Sequence, residues 1–121
     1  MNIQPVLLYV EDEENIREEM IEILELDFDK VHTAKNGKEG LELYKKHKPD
    51  LVITDIQMPL MDGLTLSKEV LSIKPDAKII LTSAFNENSY REQIEELGIT
   101  AYINKPINII ELFEQINLAL T

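Results

Sequence analysis

The run "VLLYV" (6–10) is followed at once by Glu11, Asp12, Glu13 and Glu14. Four like charges at the end of an apolar stretch repel, so the pattern needs a reason. For Glu13 and Glu14 the start of a helix is reason enough, because the helix dipole favours acids in its first turn. Glu11 and Asp12 belong to a wider set. Asp55 follows "LVIT", Thr82 and Ser83 close the run "KIILTS", and Lys105 follows "AYIN". Carboxylates gathered at one point raise each other's pKa unless a cation lies between them. Oxygen ligands from one or two carboxylates plus waters suit Mg²⁺, with Mn²⁺ as a substitute of similar oxygen preference. Such an ion clamps phosphoryl oxygens and neutralises charge during transfer. A lysine and a hydroxyl complete a phosphoryl-binding site. Asp55 is then a candidate nucleophile, since a carboxylate can attack phosphorus to form an acyl phosphate.

That chemistry requires elements that bring residues far apart in sequence to one edge. Short apolar runs alternate with amphipathic segments along the chain. Strands are expected over 6–10, 31–34, 50–54, 77–82 and 101–104. Helices are expected from Ile16 to about Leu26, over 36–47, 64–73 and 88–97, and in a last segment with Ile109, Leu112, Phe113, Ile116 and Leu120 on one face. Gly98 is placed to cap the fourth helix. Strands 1, 3 and 4 are apolar nearly throughout, as central strands should be, whereas "VHTA" is short and polar like an edge strand. Five βα units of this kind imply an α/β domain with a parallel sheet covered on both faces. In such sheets ligands bind beyond the carboxyl ends of the strands, where the winding reverses. The acids, hydroxyls and lysine all stand at those ends.

The chain has 121 residues, the size of one domain spanning 1–121, and 44% of them are hydrophobic. Lys and Arg number 12 against 23 Asp and Glu, a net charge of −11. That surface argues against nucleic acid and against anionic membranes, and suits cations. There is no cysteine, which excludes disulfides, thiolate metal sites and a cysteine nucleophile. No apolar run approaches the roughly 18–20 residues of a membrane span, and "MNIQP" is not a secretory signal. A soluble, cytoplasmic protein is the simplest expectation.

With "YVEDE", "LVITDIQMPLMDGL", "IILTSA" and "AYINKP" in this order and spacing, the whole chain resembles the response-regulator receiver domain of bacterial two-component signalling. The resemblance implies a flavodoxin-like (βα)₅ fold with strand order 2-1-3-4-5. It implies that Asp55 is the phosphoacceptor and that Lys105 pairs with the phosphoryl group, ahead of a cis bond to Pro106. It further implies that Asp12 binds Mg²⁺ directly, that the longer Glu11 acts through water, and that the backbone carbonyl of Gln57 is a ligand. Of the adjacent hydroxyls, strand alternation lets one face the pocket. The family's pattern of Ser or Thr before a small residue selects Ser83, ahead of Ala84, with a register using Thr82 as the alternative. Tyr102 matches the aromatic switch position. Pro59 shapes the loop after Asp55, and Gly63 is expected to take a backbone conformation that other residues resist. His32 and His47 show no partner pattern and read as structural or solvated.

The implied partners are a sensor histidine kinase or phosphotransfer protein, a second copy through the helix 4–strand 5–helix 5 surface, and an unnamed output partner or domain. No direct contact with nucleic acid or membrane is expected. The chain reads equally as a single-domain regulator and as a receiver from a longer protein. Three other readings compete. A haloacid-dehalogenase-type phosphatase needs a second Asp two residues after the nucleophile, where Gln57 stands; a glycine-rich dinucleotide loop is missing after strand 1. A receiver that is never phosphorylated is disfavoured by Asp55, Asp12, Lys105 and Ser83 together. The resemblance implies that Gln57 and Phe85, two residues beyond Asp55 and Ser83, flank the path of the water that hydrolyses the acyl phosphate. Bulky Phe85 should hinder that water, so Phe85→Ala should raise the dephosphorylation rate in a phosphate-release assay.

Overall fold

A computed structural model describes residues 4–84, 88–99 and 101–121; Phe85 lies outside them. Strands and helices alternate without exception: β1 (Val6–Val10), α1 (Glu14–Leu24), β2 (Lys30–Ala34), α2 (Gly37–His47), β3 (Leu51–Asp55), α3 (Gly63–Ile73), β4 (Ile79–Ser83), α4 (Asn88–Leu97), β5 (Ala101–Asn104) and α5 (Ile109–Leu120). The strands form one parallel sheet in the order β2-β1-β3-β4-β5. The winding reverses between β1 and β3. That places the end of β1, with its acids, beside the end of β3.

Strand alternation sorts the core into two layers. Leu7, Tyr9, Leu51, Ile53, Ile80 and Ile103 pack with Met20 and Leu24 of α1 and Leu112, Ile116 and Ala119 of α5. Leu8, Val10, Val52, Ile79 and Leu81 pack with Tyr44 of α2 and Leu64, Leu66 and Val70 of α3. Tyr90 and Ile94 of α4 rest on the second layer. Helices therefore cover both faces, and β2, which among the described residues pairs with β1 alone, is a half-buried edge. Asn36, Asp62 and Asn108 cap α2, α3 and α5 by accepting from the backbone N–H groups of Glu39, Thr65 and Glu111. Such caps satisfy donors that the first helical turn leaves without partners. Among the described residues no helix is long and apolar enough to cross a membrane.

Several boundaries differ from expectation, each for a physical reason. α1 stops at Leu24, and Leu26 is left 81% exposed. The carbonyl of Leu24 accepts from both Asp27 and Phe28, turning the chain so that Phe28 is buried and stacks on Phe113 of α5. β3 includes Asp55, because Asp55 is still in register with Thr82, and β4 begins at Ile79 and ends at Ser83. Gly98 does cap α4, with φ +69°. Gly63 is needed for a different reason from the one expected. It is the first residue of α3 and has no positive φ. A side chain there would collide with the backbone carbonyl of Asp55, so the residue permits close approach.

The two histidines are each other's partner. Their rings stack with centroids 3.7 Å apart and an interplanar angle of 12°, joining β2 to the end of α2. Burial, His47 and Lys46 hold the pKa of His32 below its ordinary value. The unfolded chain thus takes up the proton first, and stability is lost as pH falls through and below about 6.5. His32→Gln should lose less stability than the wild type between pH 7 and pH 5, measured by urea unfolding at each pH.

Candidate functional site

The ends of β1, β3 and β5 deliver three of the charged groups, and the sheet's hydrogen bonds hold each end in place. Beyond β1, Glu11 N–H donates to the carbonyl of Ala34 at 3.0 Å, which keeps Glu11 in line with the strand. Its side chain is buried, while that of the next residue, Asp12, is exposed. The Arg17 guanidinium donates to the Glu11 carbonyl at 2.9 Å, and Glu11 Oε2 accepts from Glu13 N–H at 3.2 Å. Glu13, at the N-cap of α1, makes no side-chain cap of its own, so Glu11 partly fills that role. At β3, Ile56 N–H donates to the Thr82 carbonyl and Gly63 N–H to the Ile56 carbonyl, fixing the backbone on the far side of Asp55. Beyond β5, Lys105 N–H donates to the Ser83 carbonyl at 2.7 Å. The Lys105–Pro106 peptide is cis.

From there Lys105 reaches back past the ends of β4 and β3. Its Nζ stands 2.7 Å from Glu11 Oε1 and 3.0 Å from Asp55 Oδ2. One carboxylate oxygen from each of Glu11, Asp12 and Asp55 lies within 4.8 Å of the other two. A single ammonium cannot neutralise three carboxylates, and two negative charges remain. An all-oxygen donor set with that surplus fits a divalent cation, which the three carboxylates would hold.

The titration shifts follow from this crowding. Burial raises the pKa of Glu11; the hydrogen bond from Lys105 opposes that shift, and the charge of Asp55 adds to it. Burial also raises Asp55, again opposed by Lys105. Desolvation acts to lower the pKa of Lys105, but its hydrogen bonds to Glu11 and Asp55 outweigh that and raise it. The ammonium is therefore firmly charged, and the carboxylates depend on it to stay so.

The hydroxyls and the aromatic residue sit alongside. Ser83 ends β4 and is fully buried, opposite Asn104. Thr82 is in register with Asp55, and its buried hydroxyl has no hydrogen-bond partner among the described residues. Tyr102 is half-buried on β5 and packs against the α2–α4 layer. Pro59 is exposed in the loop after Asp55, and its carbonyl accepts from Met61 N–H. Exposed Gln57 donates from Nε2 to Tyr90 Oη at 3.4 Å.

Sequence reasoning overlooked three neighbours. Tyr9 is buried, its hydroxyl has no hydrogen-bond partner among the described residues, and burial with the charges of Glu11 and Asp55 raises its pKa. Its position inside "VLLYV" marks it only as core. Arg17 and Tyr90 carry no motif; only the packing of α1 and α4 brings them to the site.

Comparison with known proteins places these features in a family. The family model for the response regulator receiver domain matches residues 7–117. The transcriptional regulatory protein PdtaR of Mycobacterium tuberculosis is 39% identical over 116 residues, covering 95% of this chain and 56% of that protein. The chain thus spans little more than half of that relative. The chemotaxis protein CheY of Halobacterium salinarum is 34% identical, covering 95% of this chain and 96% of that one. Among solved structures, a CheY-like receiver domain protein from Methanospirillum hungatei superposes with a TM-score of 0.92 at 28% identity, covering 98% and 94% of the two chains.

Lys105→Met tests the electrostatics directly. Without the ammonium, the folded-state pKa values of Glu11 and Asp55 rise further above their unfolded values. Stability from such groups is complete below about pH 4 and is lost as pH rises through the folded pKa. The variant should be roughly 1–3 kcal/mol less stable than the wild type at pH 8, and distinctly less impaired at pH 5, by denaturant unfolding.

Proposed function

Because the chain belongs to the response regulator receiver domain family, whose members are phosphoacceptor switch modules, we propose that Asp55 is the residue that accepts the phosphoryl group. The observation that carries this reading is the bridge of Lys105 Nζ between Asp55 and Glu11, set among three carboxylate oxygens within 4.8 Å of one another. The donor is the phosphohistidine of a sensor kinase or phosphotransfer protein, or a small phosphodonor. Residues 1–121 act as one receiver unit, in the cytoplasm.

A carboxylate oxygen of Asp55 attacks phosphorus. The phosphorus–nitrogen bond of the donor breaks, its electron pair stays with the imidazole, and an acyl phosphate forms. Lys105, already 3.0 Å from Asp55, holds a phosphoryl oxygen and offsets its charge. Asp12, Asp55 and the backbone carbonyl of Gln57, with Glu11 acting through water, would hold Mg²⁺, whose charge would further offset that of the phosphoryl oxygens. The hydroxyl of Ser83 takes another oxygen, and Tyr102 moves inward as Ser83 shifts. The α4–β5–α5 surface then changes its population of conformers and is read by an output partner or a second copy. Gln57 at the general-acid position disfavours a phosphatase. The complete set of Asp55, Asp12, Lys105 and Ser83 disfavours a receiver that never reacts.

Incubation with acetyl phosphate and Mg²⁺, followed by intact-mass measurement, tests the assignment. The wild type should gain one phosphoryl group and Asp55→Asn none. Asp12→Ala should react more than about tenfold slower, since the ion's charge stabilisation amounts to several kcal/mol. An Asp55→Asn chain labelled as fast as the wild type would sink the assignment. Mg²⁺ should also raise the melting temperature of the wild type by binding the native state, and Asp12→Ala should remove most of that gain.

A further inference from the structure

We propose that Tyr90 is a positioning residue for Gln57, and that through Gln57 it controls how fast water reaches a phosphoryl group on Asp55. The inference rests on the phosphoacceptor reading and concerns the lifetime of the product.

Gln57 is two residues beyond Asp55, on the loop between β3 and α3. The backbone there is held: Ile56 N–H donates to Thr82, Gly63 N–H to Ile56, and Met61 N–H to Pro59. The side chain of Gln57 is exposed, and its one hydrogen bond among the described residues goes to the Tyr90 hydroxyl at 3.4 Å. The Tyr90 ring is half-buried against the α2–α4 core layer while Gln57 is exposed, so the hydroxyl is the more closely packed end of the bond. The bond joins α4 to the loop carrying the phosphoacceptor, across 33 residues of sequence.

A primary amide both donates and accepts. Beside an acyl phosphate it can accept from a water while donating to a phosphoryl oxygen, and so align the attack. With one of its two N–H groups on Tyr90, the amide is turned toward α4 and away from that duty. Hydrolysis is the step affected. Water oxygen bonds to phosphorus, and the phosphorus–oxygen bond to Asp55 breaks with its electron pair returning to the carboxylate. One proton passes to solvent, and inorganic phosphate leaves. The long donor–acceptor distance marks a weak bond, which limits the effect to a modest factor.

Tyr90→Phe keeps the ring and removes the hydroxyl. The chain is phosphorylated with acetyl phosphate, freed of donor by rapid desalting, and followed by phosphate release with Mg²⁺ present. Tyr90→Phe should shorten the half-life of the phosphorylated chain about two- to fivefold, as expected for one modest hydrogen bond. In a Gln57→Ala background, adding Tyr90→Phe should change nothing, a result that a purely structural role for Tyr90 would not produce. An unchanged or longer half-life in Tyr90→Phe overturns the inference. So does an equal acceleration in the Gln57→Ala background. A wild-type chain that takes up no phosphoryl group overturns the phosphoacceptor reading and the inference with it. Labelling with unaltered decay overturns the inference alone.

Discussion

The ammonium of Lys105 between Glu11 and Asp55 is the interaction on which the site depends. Two carboxylates in a pocket from which water is largely excluded cannot both stay ionised without a nearby cation. Lys105 supplies it, at 2.7 and 3.0 Å. The lysine is 94 residues from Glu11 and 50 from Asp55, so only a sheet that aligns the ends of β1, β3 and β5 can bring the three together. The parallel order β2-β1-β3-β4-β5 does this. It directs every strand's carboxyl end to the same edge and puts the reversal of winding between the two acidic strands.

Much of the surrounding detail keeps that edge in place. Glu11 N–H on Ala34, Ile56 N–H on Thr82 and Lys105 N–H on Ser83 extend the sheet's pairing one residue past its strands. Gly63 lets the first turn of α3 lie against the Asp55 carbonyl, where any side chain would collide. Arg17 and Glu11 tie the start of α1 to the same point. The remaining charge surplus of the three carboxylates suits a divalent ion.

The gathering of the charged groups was legible because they stand at strand ends. Asp55, Lys105, Glu11 and Asp12 stand just after or at the end of apolar runs, and a parallel sheet leaves few other places for them to meet. What escaped notice lacks any local pattern. His32 and His47 stack only because β2 and the end of α2 are neighbours. Gly63 suggested a special backbone conformation, yet its role is steric, set by the partner atom across the loop. Tyr90 is an ordinary helical residue until α4 packs beside the β3–α3 loop.

Sequence alone determined the alternation of strands and helices, the two-sided burial of β1, β3 and β4, and the identity of the groups gathered at one edge. These follow from short-range periodicity and from the rule that apolar strands must be covered on both faces. The tertiary structure decided the pairings: which carboxylates Lys105 bridges, how far β3 and β4 run, why residue 63 must be glycine, and which side chain Tyr90 holds. Those depend on distances of a few ångströms between segments remote in sequence, and one-dimensional patterns carry no information about such distances.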